Sequence, residues 1–268
     1  MRIERPATWP QRFPFNVPIV QNLQQLEFAN PVTFFVGGNG SGKSALLEAL
    51  ACAIGSITAG SESVKTDATL APARELAQRF RLTWSRRTQK GLFLRAEDFF
   101  GYVTRLSVPR AELEQNLNEV DKEYGSHSET ARMYARMPFA GELAALGNRH
   151  GRGLEACSHG ESFLEFFQAR FIPNGLYLLD EPEAPLSPKR QLTFLSLLHR
   201  MLGQNAQFII ATHSPIIMAY PGAAIPHFNA GSITPVAYEE LERVWLTKSF
   251  LNNPERWLRE LFAQEPET

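Results

Sequence analysis

The sequence predicts an α/β fold: a mostly parallel sheet flanked by helices, with an antiparallel β-hairpin and a helical insertion. Three short apolar runs carry that prediction, Val32–Val36, Leu176–Leu179 and Gln207–Ala211. Each has strand length and composition, and each ends in small or polar residues ahead of a new element. Strands that alternate with helical stretches point to parallel pairing with helices on both faces.

The bulk properties set limits. A chain of 268 residues that is 44% hydrophobic can bury a substantial core. No repeat or linker divides it, so a single domain is expected over 1–268, with the hairpin and helical insertion at 55–157. A net charge of -1 gives no global case for nucleic-acid or membrane-surface binding. Cys52 and Cys157 lack metal-ligand spacing, which fits a reducing compartment. Neither a signal-peptide core nor a membrane-spanning apolar run is present, so a cytoplasmic protein without a membrane segment is expected.

The first strand runs into Gly37-Gly38-Asn39-Gly40-Ser41-Gly42-Lys43-Ser44, and an Ala/Leu-rich helix follows to Ile54. This is the P-loop pattern in the strand–loop–helix setting that it requires. Glycines let successive backbone N–H groups turn inward around phosphate oxygens, and the helix N-terminus adds its dipole. Lys43 would place a cation on the β- and γ-phosphates, and the Ser44 hydroxyl would ligate Mg²⁺. ATP and Mg²⁺ are therefore the expected ligands.

The second strand ends in Asp180 and Glu181. Asp180 is placed to hold Mg²⁺, and Glu181, one residue on, to polarise the water that attacks the γ-phosphate. The plainer alternative is that both acids cap the next element. The third strand ends in Thr212-His213-Ser214-Pro215. Ser214 and Pro215 read as N-cap and first helical residue, which leaves His213 on the edge where open α/β sheets bind ligands. A half-exposed turn histidine is the bland reading.

A polar tetrad, Ser158-His159-Gly160-Glu161, precedes an aromatic run. Ser-x-x-Glu ahead of an apolar periodic segment is a capping box. Taken in order, GGNGSGKS, SHGES, LLDEPEAPLS and ATHSP resemble the ABC-type ATPases, particularly their soluble branch related to chromosome-maintenance and RecF-like proteins. More narrowly, FPFNVP, FLRAEDFF, SHGESFLEFF and FLNNPERWLRELF resemble small stand-alone bacterial ATPases of the AAA family. The resemblance implies an ATP-dependent homodimer that sandwiches two nucleotides, with Ser158 and Gly160 contacting the γ-phosphate held by the partner. His159 and Glu161 depart from the usual signature, and Glu161 would repel phosphate unless it folds back onto its own helix start. Glu97 stands in the glutamine-loop region, Ser187 where the loop after the strand usually ends in aspartate, and Phe13 or Phe15 where an aromatic stacks on adenine.

Elsewhere, residues 55–72 read as a polar surface loop and residues 79–96 as a hairpin around a basic turn. Positions 74–95 hold Arg74, Arg79, Arg81, Arg86, Arg87, Lys90 and Arg95 against Glu75 alone, with Phe80, Trp84 and Phe93 interleaved. That mixture suits a nucleic-acid backbone with base stacking, or else a solvated hairpin serving the ATP site. A charged helix is expected after Arg110, and two amphipathic helices over Tyr238–Phe262, the second opened by Asn253-Pro254. The leading functional expectation is an ATPase acting on nucleic acid or a protein partner, in repair or phage defence. The alternatives are a transporter's nucleotide-binding subunit and a P-loop small-molecule kinase.

Overall fold

The computed structural model describes residues 1–58, 63–95, 159–229 and 231–263, a helical stretch at 115–123, and a few positions between 125 and 140; side chains of 159–162 are outside that description. The main sheet has six strands. In spatial order they are β4 (Gly91–Arg95), β5 (Leu176–Asp180), β6 (Gln207–Ala211), β2 (Val32–Gly37), β7 (Pro226–Asn229) and β8 (Ser232–Pro235). The first five run parallel and β8 returns antiparallel. A separate two-stranded pair joins β1 (Arg2–Ile3) to β3 (Phe80–Arg81).

Helices cover both faces, as a sheet buried on both sides requires. One face carries α1 (Pro18–Asn22), α2 (Lys43–Ile54) and α3 (Ala71–Ala77), packed on Phe35, Phe93, Leu176, Leu178 and Ile209. The other carries α4 (His159–Arg170), α5 (Pro188–Leu202) and α6 (Pro215–Met218), packed on Phe34, Leu92, Tyr177, Leu179 and Phe208. The aromatic run after the tetrad becomes the centre of this second layer. Phe167 packs on Phe163, Phe171 and Phe194, and Phe171 and Phe208 flank Tyr177. Two further helices, α7 (Glu242–Asn252) and α8 (Pro254–Phe262), close the described chain, with Asn253 accepting from the Arg256 N–H as N-cap.

Every residue of β5 is buried, so its register cannot come from an alternation of apolar and polar positions. Tyr177 supplies it. Its hydroxyl takes the Ile172 N–H at 2.6 Å and donates to the Ile172 carbonyl at 2.9 Å, while Asn174 turns the chain at φ 60°.

Two expectations are corrected. Residues 79–96 are not a hairpin: β3 pairs with β1, whereas β4 joins β5 in parallel at the edge of the main sheet. The reason is burial. Gly91–Arg95 is covered along almost its whole length, and a two-stranded basic hairpin could not provide that cover. The fold's antiparallel hairpin lies instead at β7–β8. Residues 55–72 are also more than a surface loop, because Val64 and Leu70 are core residues and Asp67 accepts from buried Arg95 at 2.9 Å.

The same packing breaks up the basic patch. Phe80 and Phe93 are buried, Arg95 is tied to Asp67 and Glu48, Arg74 donates to the Val64 and Asp67 carbonyls, and Arg81 pairs with Glu4. Arg79, Arg86, Arg87 and Lys90 remain on the surface. The expected helix after Arg110 is present at 115–123. Among the described residues, no helix is long and apolar enough to cross a membrane.

Candidate functional site

The carboxyl ends of β5, β6 and β2 are adjacent and in register, Asp180 opposite Ala211 and Ala211 opposite Phe35. The predicted residues of three distant segments therefore meet at one sheet edge. The glycine loop leaves β2 with Gly37 at φ 154°, Gly40 at 74° and Gly42 at 95°. A Cβ on Gly37 would lie 2.4 Å from the Phe228 carbonyl oxygen, and one on Gly42 would lie 2.5 Å from Ile19. Only glycine fits at either position. Gly38 has open space around it.

Lys43 begins α2 and is buried, with its Nζ donating to the Gly37 carbonyl at 3.0 Å and the Gly38 carbonyl at 2.9 Å. Burial lowers its pKa, against the pull of Asp180 and Glu181. The ammonium thus rests on the rim of its own loop, a pose in which it is held by neutral acceptors that a phosphate oxygen would outbid.

Asp180 is 8% exposed, and desolvation raises its pKa to about 6 even though the Ser44 hydroxyl hydrogen-bonds it. Its Oδ1 has no hydrogen-bond partner. A buried carboxylate with one idle oxygen beside a hydroxyl is a hard-oxygen donor set that suits Mg²⁺. Among the described residues there is no cluster of three or more His, Cys, Asp and Glu side chains of the kind that cages a metal.

Glu181 follows in the left-handed region at φ 49°, held there by its N–H on the Ala211 carbonyl at 2.9 Å. A non-glycine residue in that conformation costs about 1 kcal/mol or more, and it is found where surrounding structure enforces it. The turn re-aims the side chain, which is half exposed, so that Oε1 stands 3.6 Å from His213 Nε2. Burial, with Lys43 and Arg243 nearby, lowers the His213 pKa against the pull of Glu181.

Sequence reasoning missed three residues that build this edge. Glu183 accepts the His213 N–H at 2.5 Å, and burial raises its pKa. Gln191 accepts from the Ser214 hydroxyl and donates to the Leu186 carbonyl, joining α5 to the tip of β6. Arg243, on the first turn of α7, donates from Nη1 to the His213 carbonyl at 3.1 Å. Glu183 had a signal, since it stands two residues past Glu181 in the same acidic turn. Arg243 had none, because it arrives from another part of the chain.

Of the remaining candidates, Ser214 caps α6 as expected, accepting from the Ile216 and Ile217 N–H groups. Phe15 is buried against Trp9, whereas Phe13 is 54% exposed. Ser187 begins α5 without a side-chain capping bond. Gly160 lies in the first turn of α4, and Ser158 and Glu97 lie outside the described residues.

Comparison with known families agrees with this geometry. An "AAA domain" model matches residues 15–132, and a model described as "AAA domain, putative AbiEii toxin, Type IV TA system" matches residues 156–219. The two matches contain the glycine loop and the carboxylate and histidine tips respectively. Both segments that build the site thus match AAA-domain models. Similar solved structures include CbiO1 from Clostridium perfringens, part of the ABC transporter complex CbiONQ, at 16% identity and TM-score 0.44, covering 89% of this chain and 91% of that one. The Smc head domain of Pyrococcus furiosus, bound to the C-terminal domain of ScpA, is 14% identical with TM-score 0.39, covering 84% and 94%. No curated protein matches this chain.

Proposed function

We propose that the protein is a Mg²⁺-dependent ATP hydrolase that binds ATP between two copies of itself and couples turnover to a nucleic-acid or protein partner. The observation that carries the reading is the convergence at one sheet edge of a lysine closed over a glycine loop, a buried carboxylate with an idle oxygen, and an acid facing an imidazole.

The chemistry follows from those positions. Backbone N–H groups of 37–42 cradle the phosphates, and Lys43 leaves the Gly37 and Gly38 carbonyls to bridge β- and γ-oxygens. Ser44 and Asp180 are the residues that would hold Mg²⁺, which supplies charge neutralisation between those oxygens. Glu181 orients the attacking water and accepts its proton. His213, next to Glu181, donates from Nε2 toward the γ-phosphate oxygen. Gly160, in the first turn of α4, would present a helix N-terminus to the γ-phosphate of the partner's nucleotide, with Ser158 just before it in sequence as the second contact.

The surface left to Arg79, Arg86, Arg87 and Lys90 is a modest phosphate-binding patch without exposed stacking aromatics from Phe80 or Phe93. A protein partner fits it as well as a nucleic acid does. The toxin–antitoxin description of the second family model favours a defence role over repair. The test is phosphate release from ATP with and without Mg²⁺, combined with sedimentation of the ATP-bound protein with and without DNA or RNA. Absence of Mg²⁺-dependent release would reject hydrolysis, and a monomer under saturating ATP would reject the sandwich.

A further inference from the structure

Arg243 is carried to the site by a part of the chain that contributes no motif. Leu241 and Val244, on either side of it, are buried in the core and fix the first turn of α7. Tyr238, just upstream, donates from its hydroxyl to the Pro215 carbonyl at 2.9 Å, so the approach to α7 is fastened to the start of α6. Arg243 then reaches the preceding loop and donates to the His213 carbonyl.

That single bond is the guanidinium's only hydrogen bond among the described residues, and no carboxylate there pairs with it. A guanidinium has five N–H donors in a fixed fork, so most of its capacity is unused. The carbonyl it holds belongs to His213, whose ring faces Glu181 at 3.6 Å, so the guanidinium is tied to the loop that carries the nucleotide edge. A guanidinium there without a carboxylate partner is poised for an anionic ligand.

The geometry points to Arg243 as a phosphate-binding residue that reads the γ-phosphate of ATP from the same chain, and so links the α7–α8 helix pair to nucleotide state. This rests on the ATP-binding reading above. With ADP, the guanidinium keeps only the His213 carbonyl. With ATP, its remaining N–H groups turn to the terminal phosphate and tie the first turn of α7 to it. The helix pair presents Trp245, Leu246, Leu251, Leu258, Leu261 and Phe262 at the surface.

The experiment compares affinities for ADP and for a non-hydrolysable ATP analogue, by calorimetry, in the wild type, Arg243→Ala and Arg243→Lys. Arg243→Ala should weaken the triphosphate by roughly ten- to a hundredfold, the loss of one charge-assisted contact, and leave ADP within about twofold. Arg243→Lys should recover part of the loss. Equal weakening of both nucleotides would assign Arg243 a purely structural role at the His213 loop and overturn the inference, as would no change in either. A wild type that binds neither nucleotide would instead remove the ATP-binding reading itself.

Discussion

Glu181 and His213 face one another across the tips of neighbouring strands, with Oε1 3.6 Å from Nε2. The spacing is longer than a hydrogen bond and leaves the carboxylate available to a water. Replacing Glu181 by Gln keeps the shape and removes the proton acceptor. Turnover should fall by about 10²–10⁴-fold, the range for loss of a general base, while ATP affinity stays near the wild-type value. The arrested protein should accumulate as an ATP-bound dimer by light scattering. Unchanged turnover would take Glu181 out of the mechanism.

Asp180 gives a pH signature with a defined sign. Its folded pKa, about 6, stands above the ordinary 3.8 because burial penalises the charged form. The native state therefore holds the proton more tightly than the unfolded chain. The associated stability is fully present below about pH 4 and is lost as pH rises through about 6, on the order of 2–3 kcal/mol in all. Asp180→Asn should consequently raise the thermal midpoint of nucleotide-free protein at pH 7.5. The same variant should lose the additional stabilisation that wild type gains from Mg²⁺ with ATP. A variant no more stable than wild type at that pH would contradict the burial argument.

The glycine loop offers a contrast between neighbours. In Gly37→Ala the new methyl meets the Phe228 backbone oxygen at 2.4 Å, and φ is 154°. Overpacking and backbone strain together should cost about 2–4 kcal/mol, read as a fall in denaturation midpoint. Gly38→Ala meets nothing within 4 Å, so its midpoint should stay within about 0.5 kcal/mol of wild type. Equal effects at the two positions would show that the loop is not held as described.

Arg95 tests whether the basic segment is surface or core. Its side chain is 9% exposed and lies between Asp67 and Glu48. Arg95→Ala leaves two acids without their cation and should destabilise the fold by about 3–5 kcal/mol in urea unfolding. Removing the exposed charges at Arg86 and Arg87 should change stability by no more than about 0.5 kcal/mol. A stable Arg95→Ala variant would return that residue to the surface patch.

The strands and the phosphate loop were legible because their signals are local. Val32–Val36, Leu176–Leu179 and Gln207–Ala211 declare themselves by composition, and Gly37 to Ser44 by spacing. Ser214-Pro215 announced α6 through its own capping chemistry. The failures came where partners are distant. Gly91–Arg95 has the residues of a strand, yet its neighbour is Leu176–Asp180, some eighty residues on, and not Phe80–Arg81. Arginine spacing likewise could not reveal that Arg95 is claimed by Asp67 and Glu48. Arg243 was invisible for the same reason: what gives it meaning is the carbonyl of His213, thirty positions away.

The phenol of Tyr177 has a reach beyond its own pocket. Because Leu176, Leu178 and Leu179 are equally content on either side of the sheet, a slide of this strand by one position would cost little in oil-like burial. It would, however, hand the place of Asp180 to a leucine or to Glu181, so the proposed ion site would be lost while the protein still looked well folded by circular dichroism. The hydroxyl that clasps the peptide of Ile172 braces the turn that delivers the strand to its place.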